Sequence, residues 1–471
     1  MLMPDIIKLE CQILEISLKF CYLDSMKKLL IILSIFLISS FFFIKYNVQN
    51  NTNTYFALKK HVPQDLKKVI RSAFTKLNTL YVYSSSDFSF KKKKGIELKS
   101  LENNKIMKVF SNSNLIWTGP RAYFASDQNN LFLISGTGIL MYVNKLNINL
   151  EENEIKFQTI NTNLEDILKN YREDKFYSFT SMVKSVIYKE EKLFISLVQK
   201  INENCFTHII YSGDVNLKKI KFKEFYKFER CKPFYTDYLG GTLAHYKKNK
   251  ILVTIGDWTI CEDRRWLDNN PKGFCTENGA QSQKTEFGKI FELDLTTKDL
   301  KIISIGHDNP QGVLYVEKQN AIVSTEHGPK GGDEININRY PSKKIMNFGY
   351  PISSYGEHYS NDKFLYEEAP LYKSHKDYGF EEPVDYFVPS IGISDIEKYN
   401  DKLFVASMGA EIEQGDLSLY VYSIDSNLNL SKKTINNVYQ RIRDIHIFND
   451  HVFLFLESTG SIGIFPIKNI S

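Results

Sequence analysis

The chain has 471 residues, of which 43% are hydrophobic and 14% aromatic, a composition that excludes a globally disordered protein. Its formal net charge is +5 at pH 7, and lysine-rich stretches such as Lys91–Lys94 come with no recognised nucleic-acid-binding motif. We therefore expect these lysines to lie on solvated faces, and we expect no nucleic-acid partner.

An apolar run, Leu29–Ile44, follows Lys27–Lys28 near the start of the chain. No small-x-small cleavage site comes after it, which favours an uncleaved signal anchor over residues 26–48 rather than a cleaved signal peptide. Lysines on the N-terminal side predict that the rest of the chain crosses to the periplasmic or extracytoplasmic side. Met26 is also an ordinary start for such a segment, so residues 1–25 are either a short cytoplasmic tail or a mis-assigned start.

Residues 49–110 are predicted to link this anchor to the main domain. Gln49–Thr54 is polar, and Pro63–Leu77 places apolar residues at helical spacing, which predicts a short helix.

From residue 111 to residue 471 one element recurs: a polar turn followed by a short run of strand-forming residues. The six copies are Asn130–Ser135, Lys192–Ser196, Lys250–Thr254, Ala321–Thr325, Lys402–Ser407 and His451–Phe455. Their spacing of roughly 50 to 80 residues accommodates a four-stranded blade with insertions. The pattern predicts an all-β, six-bladed β-propeller. In several copies a glycine-containing turn leads to a second strand, and we expect this two-strand module near the central axis.

Four cysteines follow the predicted anchor, an even number in an oxidising compartment, which predicts disulfides. No close Cys-x-x-Cys pair is present among them, which argues against zinc. A Cys261–Cys275 bridge would close one loop, and we favour this pair. A Cys205–Cys231 bridge would join neighbouring strands. Four cysteines allow three connectivities, and the sequence does not choose between them.

The second half of the chain contains several glycine-rich and charged motifs in a fixed order. They are Ile305–Gly312, Thr325–Asn336, Asn347–Pro351, Tyr355–Gly356, Val388–Ser394 and Gln440–Ile445. In order and spacing these motifs resemble the glucose/sorbosone dehydrogenase family, which includes soluble quinoprotein glucose and aldose sugar dehydrogenases. The resemblance runs from about Gly240 to the C-terminus.

The resemblance implies a six-bladed propeller that binds pyrroloquinoline quinone (PQQ) and calcium. It also implies oxidation of the C1 hydroxyl of an aldose sugar, with electrons passed to an external acceptor. Gly328 and Pro329 match the family's calcium-binding carbonyls, and hard oxygen ligands suit this ion. Asp333 and Glu334 would orient that turn. The alternative is an ordinary β-turn whose aspartate bonds its own backbone.

Two further pairs of residues match cofactor contacts of the family. Arg441 and Arg443 match arginines that bind the quinone's carboxylates, and two residues spaced two apart on a strand project from one face. Asn309 and Gln311 match polar contacts to the cofactor, with the alternative that they hold the turn before Gly312.

The chain departs from the family pattern where the chemistry is expected. Tyr238 stands in the position of the family's base histidine, and a tyrosine with a pKa near ~10 is a poor base at neutral pH. Asp308 replaces an arginine, and Gly409 replaces a lysine. The family's Gln-Gly-Gly stretch has no counterpart around Ser178–Lys184. His245 is a possible substitute base, and its place inside a strand instead indicates a packed or surface histidine.

Three functions remain open on the sequence. The first is a quinoprotein-like sugar dehydrogenase with a remodelled active site. The second is a non-catalytic, calcium-binding propeller that binds a glycan or a protein. The third is a hydrolytic or lactone-acting propeller that uses His307 and Asp308 around a metal.

Overall fold

The computed structural model describes most of the chain from residue 87 onward. The described residues are 63, 87–99, 104–112, 115, 121–168, 182–202, 204–232, 239–258, 260–261, 273–341, 343–409 and 417–469. The anchor predicted over 26–48, the helix predicted over Pro63–Leu77 (apart from its first residue) and Tyr238 lie outside these residues. Among the described residues, no helix has the length and apolar character needed to cross a membrane.

Six four-stranded antiparallel units follow one another along the described chain, so the predicted all-β propeller is confirmed. The first blade is built from β3 (Ala122–Ser126), β4 (Asn130–Ser135), β5 (Leu140–Asn144) and β6 (Glu154–Thr159). The second contains β8 (Val183–Lys189), β9 (Lys192–Asn202), β10 (Cys205–Asp214) and β12 (Lys223–Lys227). The third contains β13 (Gly240–His245), β14 (Lys250–Ile255), β15 (Lys289–Asp294) and β16 (Leu300–Ile305).

The remaining blades repeat this order. The fourth contains β17 (Asn309–Val316), β18 (Ala321–His327), β19 (Asp333–Asn338) and β21 (Asp385–Phe387). The fifth contains β22 (Ile393–Tyr399), β23 (Lys402–Ser407), β24 (Ser418–Ile424) and β25 (Leu430–Asn437). The sixth contains β26 (Ile442–Phe448), β27 (His451–Leu456), β28 (Ser461–Pro466) and, from far upstream, β2 (Asn104–Ser111).

The remaining strands and helices lie outside the six four-stranded units. They are β1 (Asp87–Lys99), β7 (Asn161–Thr162), β11 (Lys219–Ile220), β20 (Met346–Asn347), α1 (Leu164–Leu168), α2 (Phe274–Asn278) and α3 (Lys363–Glu368). Single turns of 3₁₀ helix lie at Lys145–Asn147, Glu317–Gln319, Lys376–Tyr378 and Ile467–Asn469.

The first strand of every blade lies at the centre of the ring, where each of these inner strands contacts the inner strands of the two neighbouring blades. The apolar core is divided in the same way. Six hydrophobic clusters are present among the described residues, one for each pair of adjacent blades. Because every blade is covered on both faces, burial of apolar surface holds each blade to its two neighbours.

The six copies of the repeat form β4, β9, β14, β18, β23 and β27, which are the second strands of the six blades. A middle strand between two apolar interfaces is buried on both faces, as β4 is along its whole length. This burial explains the continuous apolar runs. We expected the repeat and the strand after it to lie near the axis, and this was wrong. The strand nearest the axis is the first strand of each blade, which precedes the copy of the repeat in that blade.

The ring closes through residues that the sequence analysis assigned to the linker. Within 49–110, β2 pairs with β28 and β1 pairs with both β2 and β6. Blades one and six are therefore parts of one nine-stranded sheet. The propeller begins at least as early as Asp87, and the boundary predicted at residue 111 is corrected accordingly.

Both disulfides considered in the sequence analysis are present. Cys205 is bonded to Cys231, with Cα atoms 4.8 Å apart, and Cys261 is bonded to Cys275, with Cα atoms 5.0 Å apart. The first bridge joins the start of β10 to the segment that follows β12, and the second joins Cys261, shortly after β14, to α2.

Candidate functional site

A cavity, partly open to solvent, lies where the six inner strands meet, and residues of all six blades line it. Its charged side chains are Arg121, Lys184, Arg443, Asp395 and Asp444. The centre of the propeller is therefore the candidate site.

Arg443 enters this cavity from β26, held by a buried carboxylate. Its Nε and Nη2 donate to Oε2 of Glu457 over 2.6 and 2.5 Å. Burial alone would raise the pKa of Glu457, but Arg443 and neighbouring arginines lower it to about 2. The carboxylate is thus ionised at neutral pH and fixes the guanidinium at the cavity wall.

Arg441, which directly precedes β26, also contacts Glu457, with its Nε 3.4 Å from Oε1, so the two arginines share one carboxylate. Its Nη1 donates to the carbonyl of Met408 over 2.9 Å, and its side chain is 24% exposed. Arg441 does not line the central cavity, and of the two arginines Arg443 is the one placed to contact a ligand there.

Asn309 and Gln311 have different positions. Asn309 is buried, and its Oδ1 accepts hydrogen bonds from the backbone N–H of Gly240 over 3.1 Å and from Nε2 of Gln311 over 2.7 Å. Gln311 lines the cavity. Asn309 therefore joins the inner strands of blades three and four, and Gln311 is the residue of the pair that can contact a ligand.

His307 and Asp308 lie in the protein interior. His307 Nδ1 is 2.5 Å from Oε2 of Glu326, and its Nε2 is 2.8 Å from the hydroxyl of Ser304. The backbone carbonyl of Asp308 accepts a hydrogen bond from Asp257 over 2.6 Å. Neither side chain lines the cavity, so the geometry gives no support to a hydrolytic centre built on this pair.

The predicted calcium turn is tightly closed. A Cβ on Gly328 would lie 1.9 Å from the carbonyl oxygen of Gly332, and Gly331 has a φ of +80°, so both positions require glycine. The N–H groups of Gly331 and Gly332 donate to Ser390 Oγ over 3.0 and 3.2 Å. The carbonyl of Pro329 accepts from the N–H of Gly332 over 3.0 Å.

Asp333 follows this turn and is buried. Its Oδ2 accepts from the N–H groups of Ile391 and Ile393 over 3.0 and 2.8 Å. Its Oδ1 has no hydrogen-bond partner among the described residues and lies 3.6 Å from Nδ1 of His327. No group of three or more His, Cys, Asp or Glu side chains in the described part of the chain is placed to hold a metal ion. A calcium ion at this turn would therefore depend mainly on backbone oxygens and on its cofactor.

Glu334, the other residue expected to orient the turn, points elsewhere. Its Oε1 is 3.0 Å from Nε2 of His375, and its Oε2 accepts from Asn336 over 3.1 Å. Burial raises the pKa of Glu334. Glu334 therefore holds the segment around His375 against β19.

The replacement at Gly409 is enforced by the backbone. Gly409 has a φ of +68°, and a Cβ on Gly392 would lie 2.7 Å from the carbonyl oxygen of Gly409. A lysine at this position would be strained. His245 is exposed and does not line the cavity, as expected of a surface histidine.

Several site residues were missed by sequence reasoning. Arg121 and Lys184 lie in the half of the chain where no motif was recognised. Asp444 lies inside the Gln440–Ile445 motif, Asp395 directly follows the Val388–Ser394 motif, and Glu457 follows the last copy of the repeat, but none of these three was singled out. One signal could have found four of them: Arg121 directly precedes an inner strand, and Lys184, Asp395 and Asp444 lie within the first three residues of one.

Comparison with known proteins gives one family match and several relatives. Residues 185–464 match the family model described as glucose / sorbosone dehydrogenase. An aldose sugar dehydrogenase of Escherichia coli (strain K12) is 30% identical over 241 residues, which are 48% of this chain and 59% of that protein. An uncharacterised protein of Synechocystis is 25% identical over 282 residues, which are 56% of this chain and 63% of that protein. The matched region thus spans about three fifths of either relative.

Solved structures show the same fold. A crystal structure of a glucose dehydrogenase aligns with a TM-score of 0.53 at 17% identity, covering 73% of this chain and 94% of the other. The apo form of the soluble aldose sugar dehydrogenase of Escherichia coli aligns with a TM-score of 0.53 at 19% identity, covering 73% and 95%.

Proposed function

The chain belongs to the glucose/sorbosone dehydrogenase family, and on that premise we propose that it oxidises the C1 hydroxyl of an aldose sugar with the help of PQQ and calcium. The observation that carries this proposal is the central cavity, which all six inner strands line and which contains Arg121, Lys184 and Arg443. A polycarboxylate quinone requires cations, which these three side chains supply, whereas Gly328 and Pro329 do not line the cavity.

Different residues of the chain would bind the cofactor and the calcium ion. Arg443, oriented by Glu457, would pair with a cofactor carboxylate, with Arg121 and Lys184 on the adjoining walls. The Gly328 and Pro329 carbonyls would hold calcium, with Asp333 fixing the turn's position. Bound PQQ would supply the two-electron acceptor for the hydride from the sugar's C1, and calcium would stabilise the reduced oxygens.

An alternative is a calcium-binding propeller that binds a glycan or a protein without catalysis. Asp308 and Gly409 favour it, because each removes a cation that the family pattern places near the cofactor, and the φ of Gly409 opposes a side chain there. The position of Tyr238 adds to this alternative, since tyrosine is a poor base.

The deciding experiment is a titration of the purified propeller with PQQ in millimolar calcium, read by absorbance, followed by dye reduction with a panel of aldoses. Arg443→Ala should weaken PQQ binding 30- to 1,000-fold, the equivalent of about 2–4 kcal/mol for an unpartnered charge. Arg230→Ala is a matched control, because Arg230 lies outside the cavity and donates to the carbonyl of Lys284. If the parent chain does not bind PQQ, the dehydrogenase proposal fails, and the non-catalytic propeller that binds a glycan or a protein becomes the favoured function.

We also propose that the propeller lies on the extracytoplasmic side, attached through residues 26–48. Support comes from the two disulfides, which form and persist in oxidising compartments.

A further inference from the structure

Two carboxyl groups meet in the wall of the cavity. Asp395 comes from β22 and Asp444 from β26, neighbouring inner strands, and the two carboxyl groups line the same cavity and interact electrostatically. Two neighbouring buried carboxyl groups oppose each other's ionisation, so the pair favours a state with one proton. Among the described residues that line the cavity, these are the only carboxyl groups, and no histidine accompanies them.

Backbone donors fix both side chains in place. Oδ2 of Asp395 accepts from the N–H of Ile445 over 2.9 Å, and Oδ2 of Asp444 accepts from the N–H of Phe124 over 2.7 Å. Each donor belongs to the next inner strand around the ring. The carboxyl pair is therefore oriented before any ligand arrives, as an acid–base group needs to be.

We propose that the Asp395–Asp444 pair is the acid–base group of this cavity, taking the proton from the sugar hydroxyl. This inference rests on the proposed function. The O–H bond of the substrate breaks and its proton passes to the ionised carboxylate of the pair. The hydride on C1 leaves with its electron pair to an oxidant of the quinone class, and the C–O bond becomes a carbonyl. The pair returns the proton to solvent through the open side of the cavity.

The electrostatic surroundings suit this role. Burial raises the pKa of Asp395 to about 6 and the pKa of Asp444 well above its ordinary value. At neutral pH the pair thus holds one proton and can accept a second with little energetic cost. The charged and titratable groups around it come from every packed element: Glu397 on β22, Arg443 and His446 on β26, Tyr123 on β3, Arg121 before it, Lys184 on β8 and Glu457 after β27.

The experiment compares Asp395→Asn and Asp444→Asn with Asp401→Asn. Asparagine keeps an oxygen that can accept the same backbone N–H, so folding is preserved, and melting temperatures check this. Asp401 is the matched control because it is an exposed aspartate in the turn that follows β22 and does not line the cavity. We expect kcat at pH 7 to fall 10²- to 10⁴-fold in either asparagine variant and to change less than twofold in the control.

A second measurement needs no turnover. The parent chain, labelled with ¹³C at the aspartate carboxyl carbons, is titrated by NMR without cofactor. Two coupled carbons should titrate at or above about pH 6, and the coupling should vanish in each asparagine variant.

The outcomes separate the two proposals. A parent chain that binds PQQ but oxidises no aldose overturns the proposed function, and this role with it. An active parent whose Asp395→Asn variant keeps its rate and pH profile overturns the role of the pair alone. Carbons that titrate independently near pH 4 also overturn it.

Discussion

Glu397 shows how a buried acid can oppose stability in this fold. It lies on β22 two residues beyond Asp395, and burial, with a contribution from the charge of Asp395, raises its pKa to about 8. Its ordinary value is 4.5, so between these two pH values the unfolded chain loses a proton that the folded chain retains. The free energy of unfolding therefore falls as pH rises through this window.

Replacement of this residue should stabilise the propeller. Glu397→Gln keeps the shape and removes the titration, so at pH 8 the variant should be more stable than the parent by about 2–4 kcal/mol, with no difference at pH 4. Denaturant unfolding of parent and variant at pH 4, 6 and 8 measures this difference in the free energy of unfolding. A variant less stable than its parent at pH 8 would show that the carboxylate is stabilised by a contact that its surroundings do not suggest.

Glu457 affects the pH dependence of stability in the opposite direction to Glu397. Its folded pKa of about 2 lies below its ordinary 4.5, so its stabilising contribution is complete above about pH 4.5 and is lost as pH falls toward 2. Glu457→Gln should lower the free energy of unfolding at pH 7 by about 3 kcal/mol, a difference that narrows on acidification. Glu151→Gln is the control, because Glu151 is exposed in its pair with Lys108 and its replacement should leave the free energy of unfolding nearly unchanged. If Glu457→Gln lowers the free energy of unfolding equally at every pH, the effect comes from packing and not from the charge of Glu457.

The site was predictable from sequence only where a side chain acts within its own motif. Arg443 and the glycine turn were identified because their motifs resemble those of the family. Glu457 was not, because it meets Arg443 only after β26 and β27 pair. Asp395 and Asp444 are far apart in the chain and meet across two blades, so no local pattern reports their contact.

At the scale of elements, the repeat predicted the second strands well because they are buried on both faces. The outer strands were harder to predict. β25 is mostly exposed, and β1 contains four consecutive lysines whose pattern reads as a solvated loop. The pairing of β2 with β28 joins residues about 350 positions apart, and such a contact leaves no local signal.

The two disulfides belong to different loops and should differ in effect. Removing Cys261–Cys275, whose residues are 14 apart, should cost about 3 kcal/mol in the chain-entropy model. Removing Cys205–Cys231, whose residues are 26 apart, should cost about 0.5 kcal/mol more. Denaturant unfolding of the two double-serine variants measures the order, and peptide mapping of the unreduced parent checks the pairs. Free thiols at these positions after export would contradict the pairing.

At the scale of the whole molecule, the placement of the propeller outside the cytoplasm is testable. A reporter enzyme that is active only after export, fused behind Ser471, should be active, and the chain should sediment with membranes. A matched chain with Leu33→Lys and Leu37→Lys in the apolar run should retain the reporter inside. Recovery of a soluble exported chain that starts beyond Lys45 would indicate cleavage instead of anchoring.

Closure of the ring by β2 affects how the protein can fold during synthesis. β2 emerges early, but its partner β28 emerges about 350 residues later, which at ~5–20 residues per second means a wait of tens of seconds. Throughout that time β2 lacks β28, and the edge of β2 that will pair with it is open to pairing with other chains. Because β1 pairs with the opposite edge of β2, the growing protein depends on a chaperone or another partner to cover this edge until the last blade arrives.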